Sequence, residues 1–423
     1  MCKILEHRES IDGLGRFKQE IKGMENIQNN KPDKSHGAVV IASSYTALGV
    51  VRSLGRNGIP VWILDNKKAP TGLSRYVKRS FPLDIENEAG QVDLLIEIAT
   101  KYDLRGWALF PDSDKGSALI AKNYQELGKY YQLTTPPWDI LQWAVNKSLT
   151  YQLAAKTGVD YPKTYYPKSR VDVEKLEGQF PMILKPATHQ GHDEFSNIRA
   201  WQANNKEELL ALYDSIYGLV DSSVIMIQEM IAGGLDTEFS YAAVCKDGQV
   251  LADAKAERKR LMPLDFGVGV YIETIEKKEI EAPAKRWLEK INYTGLVEID
   301  FKFDRQDGRY KILDVNARAW GWIAMGAYAG VDFPYLMWKL SQGESISEAH
   351  ARPAVRWIRT VSDLESAIHS MRNGSLSLGK YLASLKGVKH QMYVWDDPKP
   401  GLADFSQFVS RIFRKIKKLL FGE

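Results

Sequence analysis

Residues 295–304 read Gly295-Leu-Val-Glu-Ile-Asp-Phe-Lys-Phe-Asp304. The polar turn Arg305-Gln-Asp-Gly308 follows, and then Arg309-Tyr-Lys-Ile-Leu-Asp-Val-Asn-Ala-Arg318. Side chains alternate faces along a strand. Val297, Ile299, Phe301 and Phe303 therefore share one face, and Glu298, Asp300 and Lys302 the other. On the return strand Leu313, Val315 and Ala317 face one way, and Asp314, Asn316 and Arg318 the other. A hairpin centred near Gln306 sets Glu298 opposite Asp314. Like charges directly opposed destabilise a sheet. They need a cation, and hard oxygen ligands suit Mg²⁺ bridging to the phosphates of a substrate. The competing account is a solvated face of an antiparallel hairpin. Against it, the polar face runs into Ala319-Trp320-Gly321-Trp322, small and aromatic residues of the kind that line a pocket.

Upstream, Ala38-Val-Val-Ile-Ala42 predicts a buried strand. A helix carrying Leu48, Val51 and Leu54 stops at Gly58, and Pro60-Val-Trp-Ile-Leu-Asp65 is a second strand. Strand, helix and strand over so short a span make a βαβ unit with parallel strands. A third apolar run, Trp107–Phe110, ends in Pro111-Asp112-Ser113-Asp114, at the strand edge where open α/β sheets place ligands. The turn after the first strand lacks Gly-x-Gly-x-x-Gly, so a dinucleotide cofactor is not supported, and no Gly-x-x-x-x-Gly-Lys-Ser/Thr loop occurs. From Pro136 the texture changes. One helical stretch over about Leu141–Thr157 ends at Gly158, Pro181–Pro186 is a strand ending on Lys185, and Val224–Met230 is another. Residues 345–400 predict a mixed, partly helical extension with a break at Pro398–Gly401.

Composition bounds the answer. The chain has 423 residues, 44% hydrophobic and 26% charged, enough for two or three packed domains and unlike disordered or fibrous chains. Two cysteines, Cys2 and Cys245, make no disulfide framework, and no apolar run has the length of a membrane span. A cytoplasmic protein is expected. The net charge of +4 is concentrated: taking the five bases and one acid of residues 405–423 from the chain's 57 and 53 leaves the remainder balanced. A nucleic-acid binder carries its excess across a folded face instead, so no nucleic-acid partner is expected.

With these pieces in place, residues 37–345 resemble the ATP-grasp superfamily of carboxylate–amine ligases. Four stretches extend the likeness to about residue 400 and narrow it to the D-aspartate-ligase-like, predicted carboligase branch. They are Leu73-Ser-Arg-Tyr76, Phe110-Pro-Asp-Ser-Asp114, Asn316-Ala-Arg-Ala-Trp-Gly321 and Tyr393-Val-Trp-Asp-Asp-Pro398. The resemblance implies an α/β and α+β architecture. A flexible arm (1–36) precedes a Rossmann-like pre-ATP-grasp domain (37–135). A two-subdomain ATP-grasp fold (136–345, lid subdomain about 160–245), a small mixed extension (346–400) and a basic amphipathic helix (401–423) follow. It also implies ATP with Mg²⁺, Mn²⁺ being the alternative metal, and a small carboxylic acid and an amine or amino acid as substrates. Lys147 and Lys185 correspond to the phosphate-binding lysines, and Gln228-Glu229-Met230-Ile231 to the hinge that meets adenine. Glu238 corresponds to the ribose-binding acid, and Glu298, Asp314 and Asn316 to the metal ligands. Arg318 corresponds to the arginine beside the transferred phosphoryl group, with Lys185 and Asn316 also counted among the catalytic groups. Departures are Asn146 for a common aspartate, Asp314 for glutamate, Ala317 for proline, and a phosphate-covering loop, Ala187–Asn197, with a single glycine.

Other residues carry weaker signals. Ser74, Arg75, Asp112 and Asp114 are candidates for recognising the acid or the amine, as are Arg258 and Arg260 in the basic run Lys255–Arg260, a pattern that otherwise makes a solvated face. His189 and His192 beside Asp193 have a spacing a transition metal could use, yet no further ligand accompanies them, and the loop reads as a lid in which they and Asn197 serve as side-chain donors. Phe405, Phe408, Val409, Ile412, Phe413, Ile416, Leu419 and Leu420 form one helical stripe with the bases largely opposite. Two accounts stand for residues 405–421: a helix docked on the body, or a peripheral contact with an anionic membrane surface. A homodimer is the default assembly. The rivals to a ligase are a silent nucleotide-binding regulator and an adaptor acting through the basic tail.

Overall fold

Alternate residues of the first strand belong to different cores, and this splits the molecule into layers. In the computed structural model, which describes residues 36–42, 44–66, 70–84, 87–187, 200–264 and 267–421 (side chains of 415, 416 and 418–421 excepted), Ala38, Val40 and Ala42 face one cluster while Val39 and Ile41 face another. The expected N-terminal arm lies outside the described residues apart from His36. Five strands, Ala38–Ala42 (β1), Val61–Asp65 (β2), Val77–Pro82 (β3), Ala108–Pro111 (β4) and Gln132–Leu133 (β5), form a parallel sheet in the order β3-β2-β1-β4-β5. Helices Glu88–Tyr102 and Asp114–Lys122 supply its outer core.

Four short strands, Thr164–Tyr165 (β6), Met182–Pro186 (β7), Trp201–Ala203 (β8) and Ile225–Glu229 (β9), make an antiparallel sheet ordered β6-β9-β7-β8, backed by helix Lys206–Ile216. The large sheet comprises Glu238–Lys246 (β10), Gln249–Met262 (β11), Val268–Thr274 (β12), Gly295–Asp304 (β13), Arg309–Asn316 (β14), Ala349–His350 (β15), Arg356–Ile358 (β16) and Lys389–His390 (β17). Its order is β14-β13-β10-β11-β12-β16-β17, with β15 alongside β11. Ala242 and Val244 pack towards helix Thr46–Arg56 and the parallel sheet, whereas Tyr241, Ala243 and Cys245 pack with Val297, Ile299 and Phe301 on the opposite side. A sheet covered on both faces leaves its polar residues little choice but to line a cleft. The extension 346–400 contributes β15, β16 and β17 to this sheet.

The single helix expected before Gly158 is two. Trp138–Val145 ends and Lys147–Thr157 begins at Asn146, whose side chain accepts hydrogen bonds from the N–H groups of Ser148 and Leu149. An asparagine cap satisfies orphan donors that a continuing helix would not offer. Gly158 closes the second helix with φ +63°, a conformation glycine adopts without a Cβ penalty. The break expected at Pro398–Gly401 is confined to its first residue, because helix Lys399–Phe421 starts within it. Pro400 sits in the first turn, where no N–H donor is needed, and Gly401 lets the helix approach Met392, whose carbonyl oxygen would lie 3.0 Å from any added Cβ.

Two of the narrower motifs meet each other. Arg52 is buried and donates from Nε to Asp397 Oδ2 (2.9 Å), from Nη1 to the Gln391 carbonyl, and from Nη2 to the carbonyls of Met392 (3.1 Å) and Asp397 (2.9 Å). Ser74 Oγ donates to Asp397 Oδ2 (2.7 Å) and the Arg75 N–H to Asp397 Oδ1 (2.9 Å). Arg56 and Tyr76 hold Asp396 in the same way. Ser74 and Arg75, expected at the substrate, are therefore corrected to a clasp between the first layer and the C-terminal segment: Asp397 takes the Ser74 hydroxyl and the Arg75 N–H, and the Arg75 guanidinium donates to the Asp396 carbonyl (3.3 Å). Removing one partner of a buried pair strands the other charge. Asp397→Ala should thus cost about 3 kcal/mol of unfolding free energy, checked by urea melts; a loss below about 0.5 kcal/mol, the scatter of a surface change, would show the clasp to be incidental.

Candidate active site

The cleft between the sheets has a volume of about 790 Å³. It is lined by Asp112, Asp114, Lys147, Lys185, the segment Gln228–Ile231, Glu238, Arg258, Glu298, Asp300, Lys302, Asp314, Asn316 and Arg318. Lys147 enters because the Asn146 cap makes it the first residue of its helix, and its N–H donates to Ala187 O (2.8 Å), pinning that helix to the end of β7. Its ammonium pairs with Asp314. Lys185, on β7, points into the same space and donates to Gln228 Oε1 (2.9 Å), while Gln228 Nε2 donates to Thr164 Oγ1 (2.8 Å). The Met230 N–H donates to Pro181 O (3.0 Å), fixing the end of β9 against the start of β7.

The hairpin register differs from the sequence expectation. Glu298 lies opposite Asn316, and Asp300 opposite Asp314. The closing pair is Asp304 with Arg309, which moves the centre past Gln306, and a bulge between Asp300 and Phe301 adds a further residue on the return strand. That extra residue is Leu313, which the bulge turns into the cleft while Ile312 joins the core. The polar face is thus a cleft wall and not a solvated surface. Trp322 Nε1 donates to Glu298 Oε1 (2.5 Å) and Asn316 Nδ2 to Glu298 Oε2 (3.1 Å). Asp300 accepts from Ser240 Oγ (2.7 Å) and pairs with Arg258 Nη2 (2.5 Å). Burial and the neighbouring Asp300 raise the Glu298 pKa above the usual carboxylate range.

Glu238, at the start of β10, accepts from Lys302 Nζ (3.0 Å) and faces Arg258 Nη1 (3.5 Å). Arg318 bridges layers: Nε donates to Asp114 Oδ1 (3.0 Å), beyond the parallel sheet's edge, and Nη2 to Asn316 Oδ1 (2.9 Å). Asp112, beside Asp114, accepts from the Ser44 N–H (2.6 Å). Within the basic run only Arg258 lines the cleft. Arg260 leaves it because register shifts on both sides rotate it out of alternation. It forms a bidentate pair with Asp363 (2.6 and 3.0 Å) between Tyr271 and Tyr381, so its expected substrate contact is corrected to a structural tie.

Asp300, Lys302 and Trp322 are cleft residues that the sequence assignment left out. The alternation of β13 already placed Asp300 and Lys302 beside Glu298, and that signal sufficed to find them. Among the described residues no three His, Cys, Asp or Glu side chains form a metal-binding cluster. The donor set is two carboxylates, Glu298 and Asp314, with the Asn316 amide. It suits a hard cation, and the crowding that raises Glu298 is what a divalent ion would relieve. The phosphate-covering loop with His189, His192, Asp193 and Asn197 lies outside the described residues.

Burial and the nearby Lys147 charge lower the Lys185 pKa to about 7, whereas an unfolded lysine titrates near about 10.4. Between those values the unfolded chain holds more protons, so stability rises with pH and the full charge penalty applies below the folded value. Lys185→Met should raise the melting temperature, more at about pH 6 than at about pH 9. A destabilised variant, or a gain independent of pH, would contradict this.

Residues 222–366 match the family described as "ATP-grasp in the biosynthetic pathway with Ter operon". The D-aspartate ligase of Enterococcus faecium (strain Aus0004) is 23% identical over 318 residues, 69% of this chain and 73% of that protein. The L-amino acid ligase from Bacillus licheniformis superposes with a TM-score of 0.58 at 17% identity, over 73% of this chain and 75% of that one. The biotin carboxylase domain of the Hydrogenobacter thermophilus 2-oxoglutarate carboxylase, solved with MgADP, ADP and bicarbonate, gives 0.60 at 14% identity over 76% and 73%. A small antiparallel sheet and a large one enclosing a cleft of lysines and carboxylates behind a parallel layer, together with these matches, show that the chain carries an ATP-grasp domain.

Proposed function

We propose that the chain is an ATP-dependent ligase joining a small carboxylic acid to an amine or amino acid through an acyl phosphate, with release of ADP and phosphate. The observation that carries this is the convergence of Lys147, Lys185, the segment Gln228–Ile231, Glu238 and the Glu298–Asn316 wall on one cleft. The names of the E. faecium and B. licheniformis relatives support the reaction class, and the MgADP in the H. thermophilus domain supports the nucleotide.

In this reading Gln228–Ile231 border the adenine and Glu238 accepts from the ribose. Lys147 and Lys185 place ammonium charges on phosphate oxygens, where exclusion of water strengthens each contact. Glu298, Asp314 and Asn316 would hold Mg²⁺, with Mn²⁺ as a substitute, supplying charge neutralisation for the β- and γ-phosphates. Lys147 exchanges Asp314 for phosphate when nucleotide enters. The acid's carboxylate attacks the γ-phosphorus in line, a step governed by positioning and charge. The amine then displaces phosphate while Arg318, held by Asp114 and Asn316, faces the developing oxyanion. Asp112 and Asp114 supply negative charge for the amine, and Arg258 positive charge for an anionic group. A homodimer is the expected assembly.

Purified protein incubated with ATP, Mg²⁺ and pooled amino acids including D-aspartate should release ADP and phosphate with some pools only. Lys147→Ala and Asp314→Ala should each lower that rate by about a hundredfold or more. Wild-type rates in either variant would refute the site, and AMP with pyrophosphate would replace the acyl phosphate by an adenylate. Nucleotide binding with no turnover in any pool would favour a silent nucleotide binder.

A further inference from the structure

The end of the chain carries an exposed apolar surface that the ligase reading does not use. Helix Lys399–Phe421 contacts the body along part of its length: Tyr393 OH donates to Asp404 (3.3 Å), Arg411 approaches Glu365 (3.9 Å), and Phe408 and Val409 are half-buried. The remaining apolar positions of the described stripe face outward. Leu402 and Phe413 are each 67% exposed, Phe405 54% and Ile412 40%. Two further exposed apolar residues stand beside the helix. Leu73, in the turn Pro70–Leu73 against which the helix packs, is 50% exposed, and Trp395, four residues before the helix, is fully exposed. Solitary exposed apolar residues need no explanation. Six of them on and beside one helix, a tryptophan among them, form a patch of the kind that marks an interaction surface.

The charge pattern selects the occupant. Arg411, Arg414 and Lys417 are exposed, and together with Lys415 and Lys418 they carry all of the chain's net positive charge. At 100° per residue Arg411, Arg414 and Lys417 occupy one flank and the back of the helix, while Leu402, Phe405, Ile412 and Phe413 occupy the front. A two-fold contact between copies would set this basic segment against itself. An anionic bilayer surface instead attracts the bases to its headgroups and takes the apolar stripe and the indole at the headgroup–acyl boundary. We propose that Leu73, Trp395 and the outward Leu402, Phe405, Ile412 and Phe413 form a docking surface for anionic lipid, holding the protein at a membrane face. No helix among the described residues is long and apolar enough to cross a membrane, so the attachment is in the plane of the interface. This surface is separate from the nucleotide cleft, and its test does not depend on turnover.

The full chain would be floated with phosphatidylcholine vesicles containing about one third phosphatidylglycerol, with pure phosphatidylcholine vesicles in parallel. Binding to the anionic vesicles alone is expected, falling as salt is raised from about 0.05 M to about 0.5 M, where the screening length drops several-fold. Phe413→Asp, and separately Trp395→Ala combined with Phe405→Ser, should each reduce the bound fraction by about tenfold. Both sets are exposed, so an unchanged melting temperature verifies the fold. Equal binding to neutral vesicles, or binding that survives both variants, overturns the proposal. So does a dimer that Phe413→Asp dissociates while no vesicle binding is detected. Capture of duplex DNA in place of vesicles, insensitive to Phe413→Asp, also overturns it and points to the bases alone.

Discussion

Arg258 is the interaction on which the cleft depends. Glu298 and Asp300 leave the same face of β13 two residues apart, and Glu238 stands on the neighbouring strand. Glu298 and Asp300 are buried and Glu238 is half-buried beside them. Uncompensated, that charge would prevent the strands from pairing. The Arg258 guanidinium lies between Asp300 and Glu238, Lys302 takes the other side of Glu238, and Lys147 takes Asp314. The wall is neutralised piece by piece, except at Glu298, whose oxygens are held by neutral donors, the indole of Trp322 and the amide of Asn316. The place of least compensation is also the place where the proposed reading puts a cation.

The same economy explains the position of the parallel layer. Open α/β sheets offer the ends of their strands to ligands, and the loop after β4 delivers Asp112 and Asp114 to the cleft. Arg318 fastens that loop to the end of the hairpin. One guanidinium thus joins the first layer of the fold to the edge strand β14 of the large sheet.

Local periodicity made much of this legible in the sequence. Two-residue alternation identified the carboxylate wall, and it also contained Asp300 and Lys302, which lacked only an assigned role. The strand–helix–strand pattern of residues 38–65 forecast the parallel sheet. What could not be read were departures from periodicity. A displaced hairpin centre and a bulge at Leu313 together shifted the pairing of Glu298 from Asp314 to Asn316, and irregular register in β11 turned Arg260 away while leaving Arg258 in place. A side-chain cap at Asn146 cut one helix into two. Long-range pairing was equally opaque. Ser74 and Asp397 are 323 residues apart, and nothing in either segment alone specifies the other.

That separation has a consequence for how the chain is made. Arg52 belongs to the first helix to leave the ribosome after β1, and its place is in the interior. The groups that receive four of its N–H donors, the carbonyls of Gln391 and Met392 and both the carboxylate and carbonyl of Asp397, are made 339 to 345 residues later. Until then the nascent parallel layer must either keep this guanidinium in water, and so leave the helix Thr46–Arg56 incompletely seated, or bear an unmatched charge. The parallel layer therefore reaches its final packing only after residue 397 has been made.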